Sequence, residues 1–151
     1  MKRLLVCFAF AVLPASTLAQ PAFDAGKATA HCEDKWTERG VLDAGMFDYC
    51  MEQQRGGYAD TVELLNLYTV QEPVELIDEV LSFAVEKWLS SRNYQFDMVA
   101  YELEQQAEAF LNIQYEVDNQ NVDNAVYEQC KSKWVTRAEP QWTMVEYCVD
   151  N

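Results

Sequence analysis

Apolar residues recur along much of this chain at the spacing of an α-helix. Over residues 74–89, Ile77, Val80, Leu81, Ala84 and Trp88 fall on one stripe. A longer stripe, Phe96, Val99, Leu103, Ala107, Phe110, Leu111, Gln114 and Val117, predicts the clearest helix, over 96–117. Weaker periodicity predicts helices over 26–36, from 44 past Cys50, over 59–70, over 122–134 and over 141–149. Gly56-Gly57 is expected to end or kink the second of these, and Pro73 to occupy the first turn of the helix that follows. No period-two alternation bounded by hairpin turns is present, so the fold is predicted to be all-α.

The polar and aromatic residues then show a second order. Cys32 and Cys50 are 18 residues apart, and so are Cys130 and Cys148. Within both spans the same residues stand in register: Lys35-Trp36 with Lys133-Trp134, Arg39 with Arg137, Met46 with Met144, Tyr49 with Tyr147. A third span lies between them and carries Lys87-Trp88, Met98 and Tyr101 at the same spacing, with Ala84 and Glu102 where the others have cysteine. Two spans keep both cysteines and one keeps neither. Bonding within a span accounts for that, so the pairs are predicted to be Cys32–Cys50 and Cys130–Cys148.

Those pairs constrain the chain path. A continuous helix would hold cysteines 18 residues apart at ~27 Å, whereas a disulfide needs Cα atoms about 4.4–6.8 Å apart. The chain must reverse within each span. Gly40 and Gly45, Ser90-Ser91 and Asn93, and Pro140 supply the turns. The expected architecture is therefore three helical hairpin repeats in series, about 32–54, 84–106 and 130–151, the first and last closed by disulfides. The middle hairpin, lacking a disulfide, is expected to rely on a longer apolar interface.

Residues 1–19 stand apart. A basic start, Met1-Lys2-Arg3, leads into a short apolar run ending in Thr17-Leu18-Ala19, the pattern of a secretory signal peptide cut after Ala19. The run is too short for a membrane span. Residues 20–151 are then expected to form one helical domain. Cleavage removes Cys7 and leaves an even set of four cysteines for an oxidising compartment, periplasmic or extracellular. It also removes two basic residues and no acid, taking the net charge from −14 to −16. Like charge disfavours nucleic acid, and a basic protein or divalent cations would be attracted; solubility alone also accounts for the charge.

Candidate chemistry is sparse. Trp36, Trp88 and Trp134 are expected in the core. Lys35, Lys87 and Lys133 fall near helix C-termini, where a cation meets the last carbonyls and its stem can cross an aromatic ring. Tyr49, Tyr101 and Tyr147 are expected to pack with a wet hydroxyl. Gln53, Gln54, Gln105 and Gln106 form either a solvated face or a repeated polar contact. His31 is the only histidine, too few for a zinc constellation, and no C-x-x-C, H-E-x-x-H, G-x-S-x-G or phosphate loop occurs. No catalytic residue, metal site or cofactor is assigned.

The spacing C-x-x-K-W followed by M-x-x-Y-C, carried by Cys32, Lys35, Trp36, Met46, Tyr49 and Cys50 and again by Cys130, Lys133, Trp134, Met144, Tyr147 and Cys148, resembles small exported bacterial proteins of uncharacterised function. That resemblance implies export and no activity. The function expected is a protein-binding or scaffold module. The alternatives are a small carboxylate-dependent hydrolase and a purely structural envelope protein.

Overall fold

The computed structural model describes residues 20–71, 73–90, 93–136 and 139–151. The expected leader with Cys7, and also Ser91 and Arg137, lie outside them. The described chain runs α1 (Ala25–Trp36), β1 (Thr37–Glu38), β2 (Val41–Leu42), α2 (Ala44–Gln71), α3 (Val74–Trp88), α4 (Phe96–Asp118), α5 (Asn124–Trp134) and α6 (Trp142–Asp150). It is mostly helical, as the apolar spacing predicts. No helix among the described residues is long and apolar enough to cross a membrane.

Local chemistry fixes the helix starts. Asp24 caps α1 by accepting from the Lys27 N–H at 3.0 Å, and Asp123 caps α5 by accepting from Ala125 and Val126. Asp43 accepts from the Met46 N–H at 3.1 Å at the start of α2. Each satisfies donors that the first helical turn leaves without partners. Pro73 precedes α3 as its N-cap.

Two expectations need correction. The chain is not purely α: β1 and β2 form a minimal antiparallel pair, with Thr37 opposite Leu42 and Glu38 opposite Val41. Arg39 and Gly40 join them, both left-handed at φ 52° and 78°, the geometry that matches a two-residue turn to strand twist. A pair this short has no alternation to read. The second correction is that Gly56-Gly57 does not break a helix; α2 runs through it for 28 residues. Gly57 is present because α2 there lies directly against the backbone of Phe96 and Asp97 at the start of α4, where a Cβ would collide.

Helix α4 is central and packs on α2, α3 and α6, while α1 packs on α2 and α5 on α6. The core is drawn mainly from Leu65, Ile77, Val80, Phe96, Val99, Leu103, Ile113 and Val145. Three turns reverse the chain between α1 and α2, α3 and α4, and α5 and α6. In each, the carbonyl of the tryptophan that ends one helix accepts from the N–H seven residues on: Asp43 to Trp36 at 3.0 Å, Gln95 to Trp88 at 3.1 Å, Gln141 to Trp134 at 3.1 Å. Val135 and Pro140 bridge in the third turn, as Thr37 and Leu42 pair in the first.

Candidate functional site

The two disulfides join Cys32 to Cys50 and Cys130 to Cys148, with Cα atoms 5.7 and 5.8 Å apart. They tie α1 to α2 and α5 to α6, and they fit an oxidising compartment. All four sulfurs are used, so no thiol remains among the described residues for nucleophilic chemistry.

Where a cysteine stands in those two helix pairs, α3 and α4 have Ala84 and Glu102. Ala84 is fully buried and Glu102 only 8% exposed. The Glu102 carboxylate accepts from Lys87 Nζ at 2.8 Å and Trp88 Nε1 at 3.3 Å on one oxygen, and from Gln106 Nε2 at 2.9 Å on the other. Burial pushes the carboxyl pKa up, but the hydrogen bonds from Lys87, Gln106 and Trp88 outweigh it and hold the group below the ordinary glutamate range. The middle helix pair is therefore joined by a charged contact across α3 and α4, not by apolar surface alone as expected. The Trp36 indole has a cysteine in place of that carboxylate, and its Nε1 is buried without an acceptor.

The motif lysines lie over rings. Lys35 Nζ sits 5.7 Å from the Trp36 ring centroid, Lys87 5.1 Å from that of Trp88, and Lys133 4.8 Å from that of Trp134. The rings are half-buried at the edge of the core, not within it. A half-exposed indole leaves a face for the ammonium group while the lysine stem covers apolar surface. Met46, Met98 and Met144 are half-buried.

Two glutamines, not four, make the polar contact. Gln54 on α2 accepts from the Phe96 N–H at 2.8 Å and so caps α4. Gln106 on α4 accepts from the Thr143 N–H at 3.2 Å and so caps α6. Both are buried, whereas Gln53 is exposed and Gln105 half-exposed. An edge-to-face aromatic pair adjoins each cap: Tyr58 with Phe96 at 5.3 Å, Phe110 with Trp142 at 4.7 Å. A small buried residue sits three positions after each glutamine, Gly57 and Ala109. This joint was legible in principle: Gln54 and Gln106 follow Cys50 and Glu102 by four residues and share their buried helix face.

The three motif tyrosines stand at the surface. Tyr49, Tyr101 and Tyr147 are 53%, 54% and 63% exposed. They lie on α2, α4 and α6, and Tyr101 lines the first of two clefts that carry acidic side chains in their walls. Between α2 and α4 a cleft of about 370 Å³ is lined by Asp60, Glu63, Asp97, Glu104, Leu67 and Tyr101, among others. Between α4 and α6 a cleft of about 250 Å³ is lined by Glu116, Glu146, Asp150, Ile113, Tyr115 and Val149, among others. Among the described residues the only ion pair is Lys87–Glu102, so the clefts' carboxylates have no basic side chain to neutralise them.

His31 is half-buried near Lys35, Asp97 and Asp34. Burial first and Lys35 second lower its pKa, against the two acids. Among the described residues no group of three or more His, Cys, Asp or Glu side chains is placed to hold a metal ion. Comparison with family models, curated proteins and solved structures finds no match.

Proposed function

We propose that this chain is an exported acidic binding module, built from three units of one helix–turn–helix design, that takes a cationic protein as its partner. The observation that carries it is the separation of charges. The motif lysines are engaged on tryptophan rings, and Lys87 also on Glu102, while the other described carboxylates of α2, α4 and α6 form no ion pair, and Tyr49, Tyr101 and Tyr147 on the same helices are exposed. An unneutralised acidic surface with exposed aromatic side chains speeds the encounter with a basic protein and anchors it.

The unit design is supported by the recurring bond to the tryptophan carbonyl, the lysine over each indole, and the glutamine cap with its aromatic pair at both joints. Export is supported by the signal-like residues 1–19, by the disulfides and by the resemblance to small exported bacterial proteins. A cationic enzyme, such as a lysozyme, is the type of partner that this charge suits.

The test is to immobilise the oxidised chain from Gln20 onward and capture proteins from native envelope extract at low and at moderate salt. Any captured protein is identified, purified and titrated back. A basic protein that binds directly and is released by salt is the expected result. Binding indifferent to salt would remove the electrostatic basis. No partner at either salt would turn attention to a small-molecule, hydrolytic or structural role.

A further inference from the structure

We propose that the open side of α2 is a dimer interface, on which a second copy of this chain lays its own α2 antiparallel, about a two-fold axis that passes between Met51 and Glu52. This contact is additional to the cationic partner and does not depend on it.

A cleft of about 720 Å³ runs along that side of α2. It is lined by Phe47, Asp48, Met51, Glu52, Arg55 and Gly56, with Thr29 of α1 at its edge, and by no described residue of α3, α4, α5 or α6. The other two helix pairs do not leave the corresponding side open. Counted from Cys50, Glu102 and Cys148, Asp48 and Glu52 correspond to Ala100 and Glu104 on α4, which line the cleft against α2. They correspond to Glu146 and Asp150 on α6, which line the cleft against α4. Phe47 corresponds to Val99 and Val145. Both valines are fully buried, whereas Phe47 is half-buried. Among the described residues, the first pair alone has no helix covering this side of its second helix.

Charge identifies the occupant. Arg55 is exposed in the cleft and, among the described residues, forms no ion pair. Asp48 precedes it by seven residues, two helical turns on the same face. A two-fold axis at their midpoint sets Arg55 opposite the partner's Asp48 and one turn from the partner's Glu52, and does so twice. Met51, 6% exposed and next to the axis, then meets the partner's Met51. A parallel pairing in register would set Arg55 against Arg55 and Asp48 against Asp48. Along this face the order is acid, acid, cation, which is complementary to its own reverse. A uniformly basic segment would leave Arg55 against like charge, and a uniformly acidic one would leave Asp48 and Glu52 so. The contact covers few helical turns and falls below a standard protein interface, so the dimer is expected to be weak, with a dissociation constant on the order of 50 µM.

The test is analytical ultracentrifugation of the oxidised chain from Gln20 onward, at about 5 to 200 µM so as to span that constant, in about 0.15 M salt, where distant charges are screened. The natural chain should pass from monomer to dimer over this range. R55E leaves only carboxylates on the face, and D48K/E52K leaves only cations. Each variant alone should dimerise more than tenfold more weakly, because like charges then meet across the axis. Mixed in equal amounts, with a fluorescein label on R55E, the two should restore the dimer. D78K/E79K makes the same charge change at exposed residues of α3, outside the cleft. It should dimerise as the natural chain does and should not draw labelled R55E into a dimer as D48K/E52K does. Far-UV circular dichroism establishes that each variant is folded. A natural chain that stays monomeric throughout would overturn the proposal. So would a dimer that R55E leaves intact, a mixture that restores nothing, or equal rescue by D78K/E79K.

Discussion

If the three helix pairs are units of one design, a disulfide can be placed in the pair that lacks it. The perturbation is Ala84→Cys with Glu102→Cys, in protein that begins at Gln20 so that Cys7 is absent. Positions 84 and 102 are 18 apart, as are 32 and 50, and 130 and 148. Closing a loop of that length contributes about 3 kcal/mol through the restricted unfolded chain. The change also removes the acceptor of three hydrogen bonds. Lys87 is 42% exposed and can return to water, and Gln106 Nε2 keeps Thr143 Oγ1 at 3.4 Å. Trp88 Nε1 becomes an orphan, as Trp36 Nε1 already is. That loss costs about 1–3 kcal/mol, so the variant should be as stable as the natural chain or up to ~2 kcal/mol more stable. The cleaner reference is Ala84→Ser with Glu102→Ser, which suffers the same loss without the bond. Against it, the dicysteine chain should unfold at a urea midpoint about 1–2 M higher. Mass spectrometry after alkylation without reductant should show no modified thiol, and digestion should yield an 84–102 linked peptide. Two alkylated thiols in a folded chain would refute the equivalence of the middle pair with its neighbours.

Further outcomes follow from the same contacts. Glu102→Gln should cost about 1–3 kcal/mol at neutral pH. Because the folded carboxyl pKa is depressed, its contribution is complete above the unfolded glutamate value of about 4.3 and is lost as pH falls through the lower folded value; the natural chain should therefore lose more stability on acidification than the variant, measured by urea unfolding at both pH values. Gly57→Ala should destabilise by about 1–3 kcal/mol through overpacking against the start of α4, while Gly56→Ala, which meets open space, should be neutral or mildly stabilising. Gln54→Ala and Gln106→Ala should each cost about 1–2 kcal/mol as lost caps, and hydrogen exchange should quicken first at the start of α4 for one and of α6 for the other. Cys50→Ser should yield disulfide-linked dimers on non-reducing gels, whereas Cys32→Ser with Cys50→Ser should stay monomeric and lose about 3 kcal/mol.

The helices and the disulfides were legible because their causes are local or arithmetical. Apolar spacing placed α3 and α4 almost to the residue, and the joint absence of two cysteines from the middle span fixed the pairing of the other four. What escaped was tertiary. Gly56-Gly57 has the composition of a break, but an isolated preference gives way where a second backbone must approach, and α2 continues to Gln71. The tryptophans have the size of core residues, yet each ends a helix at the edge of the bundle and carries a lysine across its ring. The exposure of Tyr49, Tyr101 and Tyr147 could not be read from spacing, because one position before a buried or half-buried cysteine or a buried glutamate is compatible with either a core edge or an open face. Glu102 carries a signal of its own: an acid at a position otherwise given to cysteine needs a partner, and Lys87 is the cation nearest to hand in that helix pair.

The placement of the two kinds of tie has a physical logic. Helix α4 is held on three sides, by α2, α3 and α6, whereas α1 and α5 each pack mainly on the helix that follows them. If the three pairs are units of a serial array, as proposed, each draws its stability from its own contacts and from its interfaces, so a pair with one interface opens more readily than a pair with two. A covalent tie acts on the unfolded chain and does not depend on neighbours, which suits the outer pairs. A buried carboxylate is the opposite kind of tie. It is favourable only where surrounding structure excludes water and supplies enough donors to offset its desolvation, and the middle pair provides that setting: Lys87 and Trp88 from α3, and Gln106 from α4, itself fixed by the cap it gives to α6. Loosening α6 from α4 should therefore weaken the Glu102 contact from a distance. Trp142→Ala, which removes the ring contact with Phe110 without touching Glu102, would test this in a double-mutant cycle with Lys87→Met: a coupling of about 0.5 kcal/mol or more, as for residues that share a network, is expected, and strict additivity would show the middle tie to be independent of its neighbour.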